Sequence, residues 1–592
     1  MKRTEAQAKY KWDFSHLYKT TDDWKKDLEK LVSIVKEIAT LKGKLNDEKT
    51  FFQYLELDEK SDMVAIKLMQ YLHLLDIDQT NNELQELEGL YGNAAQQIGP
   101  MVSFVAPELK AIGQEQILTW IKNSKEWSKE LRGFTKFFEE AKHILDEKSE
   151  ALLSKVARSR GAIYDMYDSI AYADRQEVEI EWQGKVQPLT TTLYMEILED
   201  SDPIKDQAKR LEAAKLFSKN FVDKKHSFAK IYEGIIIRGI ESNHIRNYPS
   251  SLEASLKGDN ISKDIYLKLL DAGTKSIDVF KRFSNIIKNH YKLDKFYPTD
   301  RQLKLVKEYN RTFSVEEAKA IITEAVKPLG PEYAQKLSTA WTDHYIDFYE
   351  DTNKRDGAYS SGGASVEPII LMNWDDKLNS VNTLAHESGH SVHTLFADAN
   401  QPYPLSEYPI ILAEVASTMN EHLLFDYLYK TTTDKNEKIY LLQQRIHDLV
   451  STYYRQIQFA DFEYQAHLLV EAGQPLTADI LGKLFKDVEQ KYGYDVFEKS
   501  DKIGYGWPRI SHFFHSPFYV YKYAVDVVAS YKLFNDLKNG NTDNILNFLK
   551  AGGKKDPLDI MLDAGIDFTK DATYQPLVDA INSMCDELEN LL

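Results

Sequence analysis

V-N-T-L-A-H-E-S-G-H-S-V-H, from Val381 to His393, is the stretch on which the rest of the chain depends. Val381, Leu384, Ala385 and Val392, with Leu395 and Phe396 just beyond, recur at helical spacing, so an amphipathic and buried helix is predicted. At about 100° per residue, His386 and His390 stand one turn apart on one face of that helix, where two imidazole nitrogens reach a single metal ion. His393, seven positions after His386, returns to the same face and is expected beside the ligands. Glu387 is rotated by one residue, which makes its carboxylate a poor ligand but lets it reach a water on the metal. Together they form the H-E-x-x-H arrangement, two ligands and a general base on one helix. Two buried histidines satisfied by hydrogen bonds are the plain alternative, and the features that follow weigh against it.

A catalytic zinc requires three protein ligands and an open position. In the metzincin pattern, glycine would stand at the position of His393 and histidine at that of Phe396, and neither does. A carboxylate from a later helix remains, and Glu407, Glu414 and Glu421 compete for the place. Glu407 lies in P-L-S-E-Y-P, bounded by Pro404 and Pro409, and reads as a loop residue. Glu414 sits inside the apolar run from Ile410 to Ala416, where a carboxylate needs a counter-charge such as a metal. Glu421, seven residues on, is placed to accept a hydrogen bond from a ligand histidine. The apolar setting favours Glu414 as the third ligand.

Working outward, Asp356–Gly363 reads as a flexible Gly- and Ser-rich turn, followed by the strand-like run V-E-P-I-I-L-M-N-W. Such a strand beside the metal helix offers an edge to an extended peptide. Toward the N-terminus, helical periodicity begins near Thr21 and continues through Phe51–Asp76, Asn82–Phe104, Gln114–Lys122 and Leu131–His143. Alternation around Gln183-Gly184 predicts one hairpin. The expected division is a helical lobe over 1–200, with that hairpin near its end, and a domain over 201–592 carrying the motif. Near the C-terminus, Ser516-Pro517 predicts a helix start, with His512 and His515 in the loop before it.

The chain has 592 residues, of which 43% are apolar and 28% charged, so it is long enough for several lobes. Glycine and proline number only 26 and 17, and K/E/L-rich amphipathic runs dominate, so most of the chain is expected to be helical. A net charge of −18 argues against nucleic acid and anionic membrane as main partners. The single Cys585 excludes an intrachain disulfide and fits a reducing compartment. Without a signal-like or membrane-spanning apolar run, a cytoplasmic protein is expected. Assembly stays open between a monomer and a small homo-oligomer.

H-E-S-G-H-S-V-H followed by A-E-V-A-S-T-M-N-E resembles the thimet oligopeptidase superfamily, and more closely its oligoendopeptidase F branch. Supporting stretches are K-Y-K-W-D-F-S-H-L-Y, K-R-D-G-A-Y-S-S-G and S-H-F-F-H-S-P-F-Y-V-Y-K-Y-A. The resemblance implies a mainly α fold, with two helical lobes enclosing a deep substrate channel and a small β element beside the zinc helix. It implies zinc-dependent hydrolysis of internal bonds in short, unfolded oligopeptides. One Zn²⁺ per chain would be held by His386, His390 and Glu414, with Glu387 as base. His512 and Tyr521 would serve the oxyanion, and Gly357, Ala358, Tyr359, His515, Tyr519 and Tyr523 would contact substrate. Phe514 stands where many relatives of this branch carry tyrosine.

Overall fold

A computed structural model of the chain describes residues 2–306, 311–498 and 506–592. It is mainly α-helical, and its strands form one two-stranded and one three-stranded sheet among the described residues. No helix there is long and apolar enough to cross a membrane. Two compact units emerge, each assembled from three separate segments. Unit 1 comprises 1–142, 311–427 and 536–565; unit 2 comprises 143–310, 428–535 and 566–592. A single boundary at residue 200 is therefore a different partition, because each core recruits helices from distant parts of the chain.

Unit 1 opens with the Thr21–Ala39 helix, capped by Thr20, whose side chain accepts from the Asp23 N–H. Trp24, Leu28, Leu31 and Val35 form its buried stripe and pack with Val64 and Leu68 of the Glu48–Leu72 helix. Asn82–Ile98, Gln114–Asn123 and Leu131–Glu140 follow, close to the ranges read from periodicity.

In unit 2, strands β1 (Glu179–Trp182) and β2 (Lys185–Pro188) form the expected hairpin. Gln183 and Gly184 have φ of +51° and +77°, the paired left-handed conformations of a tight two-residue turn. Ile180 and Trp182 alternate inward onto Ile197, Ala213 and Phe217.

The sheet of unit 1 positions the metal helix. Strand β3 (Ile346–Tyr349) runs parallel to β5 (Val366–Trp374), and β4 (Tyr359–Gly363) runs antiparallel to β5 on its other side. Ile369 to Met372 are all buried, as befits a strand covered on both faces. Ile369 and Leu371 pack on Trp12, Phe14 and Ile77, while the Leu378–Asn400 helix packs along β4 and β5. Asp347 of β3 accepts from Arg3 Nε, from the Trp12 N–H and from Lys354 Nζ at 2.7 Å. Lys354 Nζ also donates to the carbonyls of Tyr349 and Met372, so this fully buried ion pair has its hydrogen bonds satisfied.

Two expectations are corrected here. The run 366–374 is a strand, but it is the central one, so its edges are already paired. The edges belong to β3, which is buried, and to the more exposed β4, inside the segment that read as a flexible turn, because Gly and Ser carry little strand signal and here take their conformation from pairing with β5.

Candidate metal centre

The Leu378–Asn400 helix places the Nε2 atoms of His386 and His390 3.2 Å apart. A second helix, Ile410–Thr431, brings in Glu414, whose Oε2 lies 3.2 Å from His386 Nε2 and 3.6 Å from His390 Nε2. These three residues are the group found, among the described residues, with donor atoms close enough to share one metal ion. Tetrahedral zinc with bonds of about 2.0–2.1 Å sets neighbouring donors roughly 3.3–3.4 Å apart, and the observed triangle brackets that spacing. Protonation points the same way. Glu421 Oε1 lies 2.7 Å from His386 Nδ1, so that nitrogen donates to the carboxylate and Nε2 faces Glu414 and His390. Three donor atoms this close repel unless a proton or a cation lies among them.

The titration behaviour agrees. Burial alone would lower the His386 pKa, but the hydrogen bonds to Glu414 and Glu421 outweigh it and raise it well above the usual histidine value. Burial, and then the charge on His386, holds His390 down at about 4. Glu414 is held at about 2, its burial overcome by the hydrogen bond from His386 and the two histidine charges. Without an ion the donor set thus holds one proton at the point where a divalent cation fits, and a metal would displace it.

Glu387 is buried, and burial raises its carboxyl to about 7 against the opposing charge of His386. The Ser360 N–H on β4 donates to it. This residue lies next to the donor triangle and beside the edge strand.

Close approach of the two helices makes the triangle, and Gly389 permits that approach. A Cβ there would fall 2.6 Å from Ser417 Cα and 2.8 Å from the Ala416 carbonyl oxygen. Ser417 Oγ donates to Glu414 Oε2 at 3.0 Å, and Asn420 Nδ2 donates to the Ala385 carbonyl at 2.9 Å. The Tyr333 hydroxyl donates to Asn420 Oδ1. None of these supports was read from the sequence; the one available signal was the glycine inside H-E-S-G-H, since glycine in a helix interior calls for a packing reason.

His393 departs from expectation. It shares the face but lies two turns from His386 along the axis, outside the donor group. Its ring stacks on Tyr408 at 3.8 Å, its Nδ1 has no hydrogen-bond partner, and burial lowers its pKa to about 3. Glu407 lies in the loop before the second helix, also outside the donor group. Gly357, with φ of +86°, and Ala358 lead into β4; the Tyr359 hydroxyl donates to Asp76 Oδ2 at 2.6 Å and lies 2.8 Å from His73 Nδ1.

In unit 2 the C-terminal stretch differs in two respects. His512–His515 is itself a short helical turn, and the long helix starts at Tyr521. Phe518 has φ of +56°, so Ser516-Pro517 opens a turn between the two helices. Tyr521, expected at the oxyanion, faces the interior: it is 1% exposed and its hydroxyl donates to Asp259 Oδ2 at 3.2 Å. Its neighbours at odd spacing hold together instead. His512 Nε2 lies 3.2 Å from the Tyr523 hydroxyl, and the Tyr519 ring packs on both His512 and Tyr523. His515 Nε2 contacts Asp168 Oδ1 at 2.9 Å.

A mainly helical chain whose H-E-x-x-H histidines meet a glutamate from a separate helix, beside a buried second glutamate, has the build of a metallopeptidase. The sequence pattern of Peptidase family M3 matches residues 203–578, and that of Oligopeptidase F matches residues 108–176. The chain belongs to peptidase family M3, and it is a metalloendopeptidase. It is 30% identical to Oligopeptidase PepF of Bacillus subtilis over 596 residues, covering all of this chain and 88% of that one. Among solved structures, a putative peptidase from Chlamydophila abortus superposes with a TM-score of 0.91 at 28% identity, covering both chains completely. Oligoendopeptidase-F from Enterococcus faecium gives 0.72 at 26% identity, over 96% of this chain and 99% of that one.

Proposed function

We propose that the chain hydrolyses internal bonds of short, unfolded oligopeptides with zinc as its metal, and the observation that carries this is the donor triangle set beside Glu387. His386, His390 and Glu414 would hold the ion. When bound, zinc lowers the pKa of a water toward about 7 and polarises the scissile carbonyl. Glu387 takes the proton of the attacking water as its oxygen adds to the carbonyl carbon. It then delivers that proton to the amide nitrogen as the C–N bond breaks. A carboxyl poised near 7 both accepts and returns a proton at neutral pH. Glu421 holds the His386 ring in orientation, and the Ser360 N–H orients Glu387.

Two features support peptide as substrate. The open edge of β4 takes only an extended segment, which a folded protein does not offer. The relatives named oligopeptidase and oligoendopeptidase point to short chains. The resemblance assigns substrate hydrogen bonds to the C-terminal stretch, and the grouping of His512, Tyr519 and Tyr523 supports these three over Tyr521. A cytoplasmic setting is supported by the single, buried Cys585.

The test incubates purified protein with peptides of about five to thirty residues, with and without a chelator, and reads products by mass spectrometry. Internal cuts that vanish with chelator and return with zinc are expected. Zinc bound at one per chain without any cleavage would leave a peptide-binding protein in place of the enzyme.

A further inference from the structure

Unit 2 contains a cavity of about 610 Å³ that the peptidase chemistry does not use, large enough for a small organic molecule. Arg301 lies in its wall, 7% exposed, with its guanidinium over the Phe280 ring at 5.3 Å and its Nη1 lacking any hydrogen-bond partner. No carboxylate among the described residues forms an ion pair with it. Thr299 Oγ1 and His447 Nε2 line the same cavity, and both atoms are buried and unpartnered. Arg455 donates to the Tyr494 hydroxyl and lies over Phe459, and Arg509 lies over Phe217; neither has a carboxylate ion pair among the described residues. The charge of Arg455 bears unfavourably on both Arg301 and Arg509. Three carboxylates share the wall: Glu489 is raised to about 7 by burial, Asp487 accepts from Lys483, and neither Asp487 nor Glu498 forms an ion pair with these arginines among the described residues. A buried guanidinium without a partner is destabilising, and a chain of net charge −18 has carboxylates in excess to supply one.

We infer that this cavity binds a small organic anion, with a carboxylate or phosphate head on Arg301, Arg455 and Arg509 and an aromatic or apolar body between Tyr194, Phe485 and Phe497. The inference does not rest on the peptidase reading: every lining residue belongs to unit 2, whereas the metal donors belong to unit 1.

The test uses the full chain at fixed ionic strength and titrates 3-phenylpropionate, phenyl phosphate and, as a cationic control, benzylamine, reading heat and Tm. At least one anion should bind with one-to-one stoichiometry and benzylamine should not; which anion binds tells carboxylate from phosphate. Arg301→Met should weaken that binding roughly tenfold or more while raising the Tm of the ligand-free protein, since it removes an unpaired buried charge. Arg455→Met should weaken binding as well, and it decides the matter if Arg301→Met does not fold. Anions that bind no better than benzylamine would overturn the inference. So would binding that both variants leave unchanged, which would locate the anion outside this cavity.

Discussion

Gly389 is where one hydrogen atom in place of a methyl group sets the metal geometry. Alanine there would overlap the Ser417 backbone, so the two helices would have to separate and draw Glu414 away from the histidines. Gly389→Ala is expected to cost about 1–3 kcal/mol through overpacking, and to weaken metal binding by roughly 10–100-fold. Competition with a chromophoric chelator, alongside a melting curve, checks both; native affinity in the variant would mean that the helix contact does not set the donors. Glu387 makes the opposite case, since the proposed reaction needs its carboxylate and the donor triangle does not include it. Glu387→Gln keeps the shape and the Ser360 contact but cannot take a proton, so turnover should fall about 100- to 10,000-fold with metal content unchanged. Full activity in zinc-loaded Gln protein would remove Glu387 from the reaction. Glu421→Gln should resemble Gly389→Ala, loosening the His386 ring and lowering metal affinity by about 10–100-fold.

At the scale of elements, edge strand β4 and the metal helix together define where a peptide would lie. The Ser360 backbone of β4 acts on Glu387, so the strand passes beside the carboxylate proposed as the base. If substrate pairs with that edge, N-methylation of the one or two substrate residues that pair with β4 should raise KM about tenfold, while methylation elsewhere has little effect. A scan of singly N-methylated decapeptides by mass spectrometry checks this, and a flat profile would dismiss strand pairing. This element was also the least legible in the sequence. The metal helix announced itself because its apolar period and its histidine spacing agree, and Glu414 because a lone carboxylate stood in an apolar run. β4 is written in Tyr, Ser and Gly, which signal a turn, and only the register with β5 makes it a strand. Helix starts were legible to within a residue or two where a local cap fixes them, the first cap being expected at Thr21 or Asp22 and found at Thr20, and illegible at Ser516-Pro517, where the left-handed Phe518 interrupts the cap signal. Tyr521 was assigned by motif position, and position along a motif does not tell which way an alternating tyrosine faces.

Across the whole molecule, two units with separate cores each bury ionisable groups, and this shapes how stability responds to pH. In unit 2 the Gln456–Glu471 helix carries Glu463 and His467 one turn apart, both buried. Glu463 Oε1 and both ring nitrogens of His467 lack hydrogen-bond partners. Burial raises Glu463 to about 8, opposed only by the Phe518 N–H, and lowers His467 to about 3. The two act on opposite limbs. Between its unfolded value near 4.5 and its folded value near 8, Glu463 binds more proton in the native state, so stability falls as pH rises through that window. Between about 6.5 and 3, His467 binds less proton in the native state, so stability falls as pH drops through that window. Glu463→Gln is neutral at every pH. Its melting temperature should match the native chain near about pH 5 and exceed it by a few degrees near about pH 9, the gap opening between the unfolded and folded pKa values of Glu463, where only the unfolded chain ionises it, and levelling off above about 8. Calorimetry of both proteins across this range, at fixed zinc, separates the effect from metal binding, which titrates in unit 1. A gap constant with pH would show that Glu463 has the same pKa in the folded and unfolded chain, and the alkaline limb would then have to come from other groups.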